Sequence, residues 1–165
     1  MPLGPPASPR LEFRPLTIAA IEALIAGDRE ALEAETLATF PEPLSAPPEM
    51  DHALPAMRDS LRDDPESAFW GPFLIVASET GEAVGSAGFV SQSSRGGQRE
   101  LGYSVYPSFQ GQGIASEAAA ALVADVEQQA GQPALQGVQG VAGHVLARLG
   151  EQHLDELVDG DAQAL

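Results

Sequence analysis

A short glycine-containing turn is the part of the sequence whose residue types most directly suggest chemistry. Gly111 and Gly113 lie in the stretch 110–115 (QGQGIA), between an apolar strand pattern and a helical pattern that begins at Ile114. Because glycine lacks a Cβ atom, the main chain can approach another molecule closely at these positions. The first turn of a helix also exposes unpaired N–H groups and the positive end of the helix dipole. The turn therefore predicts an anion site suited to a phosphate or pyrophosphate.

The elements on either side of this turn must hold it in place. Residues 99–106 (RELGYSVY) have the composition of a strand, which Pro107 ends, and residues 114–130 carry apolar side chains at four-residue spacing, as in a helix with one packed face. The apolar run 73–77 (FLIVA) and the segment 83–90 (AVGSAGFV) flank a turn at 79–82, which predicts a hairpin.

The N-terminal half supplies further elements. Residues 11–17 predict a first strand, in which Pro15 favours an edge position. Residues 18–39 predict helix, broken near Gly27 and Asp28, where Asp28 can cap a second helix. The segment 40–72 is rich in proline and cannot form one regular element, although a short helix fits residues 54–62.

Composition limits the class of protein. The 165 residues fit one domain, and 8 basic against 24 acidic residues give a net charge of −16, which argues against a nucleic-acid or membrane-surface binder. The chain contains no cysteine, and its three histidines share no ligand spacing, so we expect no metal site. No apolar run approaches about 18 residues, and residues 1–10 lack the features of a signal peptide. We therefore expect a cytoplasmic protein with a disordered tail at residues 1–10.

The turn and its flanks resemble a known family. Gln110, Gly113 and Ala115 fit Gln-x-x-Gly-x-Ala between a strand and a helix, which is similar to the acyl-CoA pyrophosphate motif of the GCN5-related N-acetyltransferases, the GNAT family. The flanks 100–105 (ELGYSV) and 115–119 (ASEAA), the start 11–17 (LEFRPLT) and the hairpin at 73–89 resemble the branch that contains ribosomal-protein N-acetyltransferases. The resemblance covers residues 11–130. It implies an α+β fold with a mixed, mostly antiparallel central sheet and helices on both faces.

The resemblance also implies roles for single residues. Main-chain amides of the turn would hold the pyrophosphate of acetyl-CoA, and Val105 would pair its main chain with the pantetheine arm as an added strand does. Amides near Ser104 and Val105 would polarise the thioester carbonyl. Glu100 matches a strand glutamate that acts through water as general base. The implied cofactor-binding set is Ser104, Val105, Gln110, Gly111, Gln112, Gly113, Ile114, Ala115 and Ser116.

Several features depart from the family pattern. The chain has no asparagine for the usual cofactor contact after the fifth strand, and its only tyrosines, Tyr103 and Tyr106, precede the position of the usual thiolate acid. Gln112 stands where a basic residue is frequent, so we expect the turn to work without a cationic side chain. Residues 131–165 are predicted to be an atypical segment, truncated or diverged, with a weak strand at 138–145 and an amphipathic helix from Leu146 to Val158. The closing strand pair is expected to be missing.

The sequence thus predicts an N-acetyltransferase that moves acetyl from acetyl-CoA to a primary amine by direct attack. The acceptor is a small molecule or a protein N-terminus, and the oligomeric state stays open, with a homodimer as one option. Two other functions remain: a degenerate, non-catalytic acyl-CoA-binding domain, and an interaction module. For the residues themselves, the plainer alternatives are a simple strand-to-helix connection at the turn and a solvated strand position for Glu100.

Overall fold

The computed structural model describes residues 8–48, 50–91, 99–130, 135–141 and 144–149. The strands are β1 (Leu11–Pro15), β2 (Phe73–Ala77), β3 (Ala83–Ser91), β4 (Arg99–Val105), β5 (Leu135–Val141) and β6 (His144–Leu149). The helices are α1 (Ile18–Ala26), α2 (Arg29–Thr36), α3 (Leu54–Asp63) and α4 (Ile114–Ala130), with short 3-10 helices at Pro65–Trp70 and Pro107–Phe109. These bounds confirm the predicted elements up to the end of α4 to within a few residues.

Local capping explains why the first helical stretch divides in two. The Thr17 side chain accepts a hydrogen bond from the N–H of Ala20 and so caps α1. Gly27 ends this helix in the left-handed conformation, with φ of 69°. Asp28 then accepts from the N–H of Ala31 and begins α2. The predicted break at Gly27 and Asp28 is confirmed.

The sheet is antiparallel throughout and has the order β1-β2-β3-β4-β6-β5. β1 lies at one edge, so Pro15 occupies the edge position that its missing N–H favours. In β2, Phe73 and Ile75 pack on one face while Leu74 and Val76 pack on the other. Burial on both faces explains why this strand is a continuous apolar run and does not alternate with polar residues.

Helices cover both faces of the sheet. α4 packs on the face that carries Phe73 and Ile75. There Ala118, Leu122 and Val123 join a cluster with apolar residues of β1 to β4. The second face is covered by α1, α2, α3 and the proline-rich segment, whose apolar side chains surround Leu74 and Val76. This arrangement confirms the predicted α+β class and its mostly antiparallel sheet.

The part of the sheet beyond β4 corrects the sequence prediction for the region after α4. β6 pairs with β4 from Glu100 to Tyr103, and β5 pairs with β6 to complete a hairpin. The closing strand pair was expected to be missing, yet this hairpin extends the sheet. Leu146 and Leu149, which were predicted to be helical, lie in β6. Short apolar segments fit both periodicities, and main-chain pairing with the edge of β4 decides in favour of strand. The predicted helical residues 150–158 lie outside the described residues.

Candidate functional site

The main chain at the end of β4 has one open side. The N–H of Tyr106 donates to the carbonyl of Val84 on β3 at 2.9 Å. Because hydrogen-bonding direction alternates along an antiparallel strand, the N–H and carbonyl of Val105 point away from β3. The pairing of β6 with β4 ends at Tyr103. Among the described residues, no strand therefore lies beside Val105 on this side, and its main-chain N–H has no strand partner there.

The preceding residue, Ser104, faces other partners. Its main chain is directed toward β3, where a Cβ atom on Gly85 would lie only 2.2 Å from the Ser104 carbonyl oxygen. This close approach requires glycine at position 85. The hydroxyl of Ser104 is almost fully buried and donates to the carbonyl of Pro48 at 2.5 Å. Of the two amides implied for the thioester carbonyl, the one on the open side of β4 is that of Val105.

Both glycines of the turn after β4 adopt a main-chain conformation that few other residues tolerate. Gly111 and Gly113 have φ of 77° and 75°, in the left-handed region that favours glycine. A Cβ on Gly111 would meet nothing within 4 Å, so the chain surface is open there. The N–H of Glu117 donates to the carbonyl of Gly113 at 3.0 Å and starts α4. Among the described residues, no acceptor pairs with the main-chain N–H groups of residues 111–115.

The remaining turn residues divide by what their side chains do. Gln110 donates from Nε2 to the carbonyl of Val105 at 3.0 Å, which ties the turn to the strand end. Ile114 and Ala115 are buried in the cluster between α4 and the sheet, so only their main chains can reach a ligand. Ser116 is half-buried in the first turn of α4. The structure therefore brings Val105 and residues 110–116 together.

A cationic side chain that was not among the predicted site residues lies at this turn. The guanidinium of Arg10 donates from Nη2 to the carbonyl of Gln112 at 3.1 Å and from Nε to Oε1 of Glu117 at 2.7 Å. Ser8 donates its hydroxyl to Oε2 of Glu117 at 2.5 Å. The turn was expected to work without a cationic side chain, yet the structure places Arg10 beside it, and Ser8 and Arg10 of the predicted disordered tail form hydrogen bonds with α4. No local signal could reveal the contact, because Arg10 and Glu117 are 107 positions apart.

Glu117 is held as a carboxylate by these neighbours. Partial burial acts to raise its pKa, but the hydrogen bonds from Ser8 and Arg10, together with the charge of Arg10, lower the pKa below its ordinary value. The residue also lies in the first turn of α4, where a negative charge complements the helix dipole.

The other face of β4 meets the proline-rich segment. Tyr106 donates its hydroxyl to the carbonyl of Ser45 at 2.7 Å. Burial, and secondly the charge of Asp51, raise the pKa of Tyr106 well above its ordinary value, against the opposing effect of Arg29. The phenol therefore keeps its proton near neutral pH. Through Tyr106 and Ser104, residues 45–48 are fastened to the end of β4.

Glu100, the candidate base, lies at the other end of the same strand. Its main chain pairs with Val90 of β3 and Arg148 of β6. Positions 100, 102 and 104 alternate onto one face of the sheet, the face that Ser104 turns toward the proline-rich segment. About 13 Å of strand separates Glu100 from Ser104, which exceeds the length of a glutamate side chain.

These features define an α+β protein in which a glycine turn with exposed N–H groups joins an open strand end to a helix. Residues 10–146 match the family model described as an acetyltransferase (GNAT) domain. The chain belongs to this family. The family supports acetyl transfer as the class of reaction, and GNAT domains generally use acetyl-CoA.

Comparison with solved structures gives the same fold. A putative GnaT-family acetyltransferase from Bordetella pertussis is similar with a TM-score of 0.55 and 17% identity, over 88% of this chain and 98% of that one. A comparison with curated protein sequences returned no match. The described part of the chain holds no group of three or more residues suited to a metal ion. None of its helices is long and apolar enough to cross a membrane.

Proposed function

We propose that this protein transfers the acetyl group of acetyl-CoA to a primary amine. The observation that carries the proposal is the row of main-chain N–H groups at residues 111–115, which have no acceptor among the described residues and follow Gln110, whose side chain contacts the Val105 carbonyl. Such a row at a helix N-terminus suits the diphosphate of a coenzyme A ester. Gly111, with open space where a side chain would stand, lets the ligand approach the main chain.

The strand end suits the adjoining part of the same molecule. Pantetheine contains two amides, and an extended arm can bind beside Val105 in the manner of an added strand. Because Gln110 already donates to the Val105 carbonyl, the N–H of Val105 is the group left for the ligand. That N–H would polarise the thioester carbonyl or bind an amide of the arm.

The chemistry follows from the groups around this edge. The neutral amine attacks the thioester carbonyl carbon, a C–N bond forms, the C–S bond breaks, and coenzyme A leaves as a thiolate that takes a proton from water. The proton lost by the amine passes through water to Glu100, which is the proposed general base. Because the chain has no cysteine, a cysteine acyl-enzyme is excluded, which favours direct attack by the amine.

The acceptor site is proposed to lie on the face of β4 that the proline-rich segment covers. Residues 45–48 are fastened there by Ser104 and Tyr106. A net charge of −16 favours a cationic amine over an anionic one. The sequence resemblance to ribosomal-protein N-acetyltransferases makes a protein N-terminus one candidate acceptor, and a small-molecule amine is the other.

Release of free thiol tests the proposal directly, because a chain without cysteine gives no background in a thiol assay. The protein is incubated with acetyl-CoA and a panel of peptides with free N-termini and small cationic amines. We expect amine-dependent thiol release, reduced about 100-fold in kcat by Glu100→Gln, as for loss of a general base. Glu79→Gln, an equal charge change in the exposed turn between β2 and β3, is the control.

Two results would contradict parts of this proposal. If acetyl-CoA raises the melting temperature but no amine releases thiol, the protein is the non-catalytic acyl-CoA-binding domain. If Glu100→Gln turns over like Glu79→Gln, transfer is catalysed without Glu100 as base.

A further inference from the structure

Arg10 reaches the glycine turn from a distant part of the chain. It directly precedes β1, and β1 contributes Leu11 and Phe13 to the cluster beneath α4. This packing brings the N-terminal segment to the first turn of α4. There the Nη2 atom of Arg10 would lie 3.7 Å from a Cβ built on Gly113, an ordinary van der Waals distance. The guanidinium is thus a direct neighbour of the proposed diphosphate site.

The hydrogen bonds of Arg10 leave part of its guanidinium available. A guanidinium has five N–H donors, of which Nε serves Glu117 and one on Nη2 serves Gln112. The other three meet no acceptor among the residues that the structure describes. The side chain is also 52% exposed, so an anion can reach it from solvent.

The local charges make this availability significant. Glu117 puts a carboxylate in the first turn of α4, close to the N–H groups that would receive a diphosphate. Unneutralised, that charge would repel the ligand, as would the −16 of the whole chain. Arg10 and Ser8 occupy both oxygens of Glu117. The contact therefore offsets the negative charge of the Glu117 carboxylate and holds the guanidinium of Arg10 at the turn.

We propose that Arg10, positioned by Glu117, is the cationic ligand for the diphosphate of the coenzyme A ester. This inference rests on the proposed function and adds to it the side chain that the turn itself lacks. Arginine suits the role because its planar fork donates to two phosphate oxygens at once.

The test compares Arg10→Gln with Arg62→Gln by isothermal titration with CoA and with dephospho-CoA. Arg62 is a matched control, since it is 50% exposed, forms an ion pair with Glu22 and lies on α3. We expect Arg10→Gln to raise the Kd of both ligands about tenfold, the effect of losing one charge-assisted contact. Arg62→Gln should stay within about twofold of the unsubstituted protein.

Each result has a distinct meaning. Equal affinities for the two variants would overturn the role of Arg10. A loss confined to CoA would also overturn it, since dephospho-CoA keeps the diphosphate and lacks only the 3′-phosphate. If the unsubstituted protein binds neither ligand, the proposed function itself fails. Arg10→Lys, which keeps the charge and the ion pair, guards against misfolding. We expect it to bind both ligands more tightly than Arg10→Gln, and an affinity equal to that of Arg10→Gln would contradict a cationic role.

Discussion

Glu117 is the carboxylate on which three hydrogen bonds from the N-terminal segment converge. Two come from Arg10, through its main-chain N–H and its Nε, and one comes from the hydroxyl of Ser8. A residue that would otherwise be an ordinary member of a first helical turn thereby fastens the start of β1 to α4. Its ionised form is the one that these donors stabilise, so the contact depends on pH.

Glu117→Gln should lower the free energy of unfolding near pH 7 by about 0.2–1 kcal/mol, the range of exposed ion pairs. The pKa of Glu117 is lowered in the folded state, so its stabilisation is present above the unfolded-state pKa and is lost as pH falls through the folded-state value. Urea unfolding at a series of pH values should therefore show the difference between variant and parent shrinking toward acid. Glu79→Gln controls for the charge change, and a difference that stays constant with pH would contradict the assignment.

The sequence predicts the residues of this site only where the signal is local. Gly111 and Gly113 indicate a turn in which the main chain can approach a ligand, and the helical pattern after them predicts where α4 begins. Nothing in the sequence near Arg10 indicates a place at the turn. Its place at the turn depends on how β1 packs beneath α4, which is a tertiary property. The hydrogen bond from the Gln110 side chain to the Val105 carbonyl depends in the same way on how the chain folds between these two residues.

At the scale of elements, the part of the proline-rich segment that lies between α2 and α3 is held in position by β4, the strand that it covers. Ser104 and Tyr106 are two positions apart and lie on the same face at the end of β4. The hydroxyl of each donates a hydrogen bond to a main-chain carbonyl of this segment. A segment with few main-chain hydrogen bonds of its own is thereby held against the sheet. The proposed acceptor site takes its wall from this contact.

Ser104→Ala removes the donor to the Pro48 carbonyl while leaving the main chain of β4 intact. We expect the KM for the amine to rise about three- to tenfold, which corresponds to the loss of roughly one buried hydrogen bond. The KM for acetyl-CoA should change by less than about twofold, because Val105 and the turn are untouched. Steady-state kinetics with each substrate varied in turn measures both values, and Ser60→Ala on the exposed side of α3 is the control. If only the KM for acetyl-CoA rises, the segment contributes to the acetyl-CoA site and not to the acceptor site.

The elements also show where sequence patterns suffice and where they fail. α1 and α2 are divided by Gly27 and Asp28, whose capping roles are local and therefore predictable. A weak strand was predicted at 138–145, and the described residues of this range lie in β5 and β6. The hairpin itself was not predicted, because residues 135–149 have glycines and widely spaced leucines that fit several structures. Its strands are specified by main-chain pairing with β4, a partner more than 30 positions away.

At the scale of the whole molecule, the acidic surface acts in opposite directions on the two proposed substrates. Each of the five arginines whose side chains the structure describes is already in an ion pair: Arg10, Arg14, Arg29, Arg58 and Arg62. The long-range field is therefore that of a polyanion. A coenzyme A ester approaches against this field, whereas a cationic amine approaches with it.

Ionic strength should accordingly separate the two substrates. Raising it from about 10 mM to about 150 mM shortens the Debye length from about 30 Å to about 8 Å, which removes most of the long-range field. We expect kcat/KM for acetyl-CoA to rise by about two- to fivefold and kcat/KM for a cationic amine to fall by a similar factor. An acceptor that is uncharged at the assay pH should show little change and serves as the control. If kcat/KM for acetyl-CoA falls instead, short-range attraction by Arg10 and the turn amides governs capture of the ester, and the net charge of −16 has no effect on its approach.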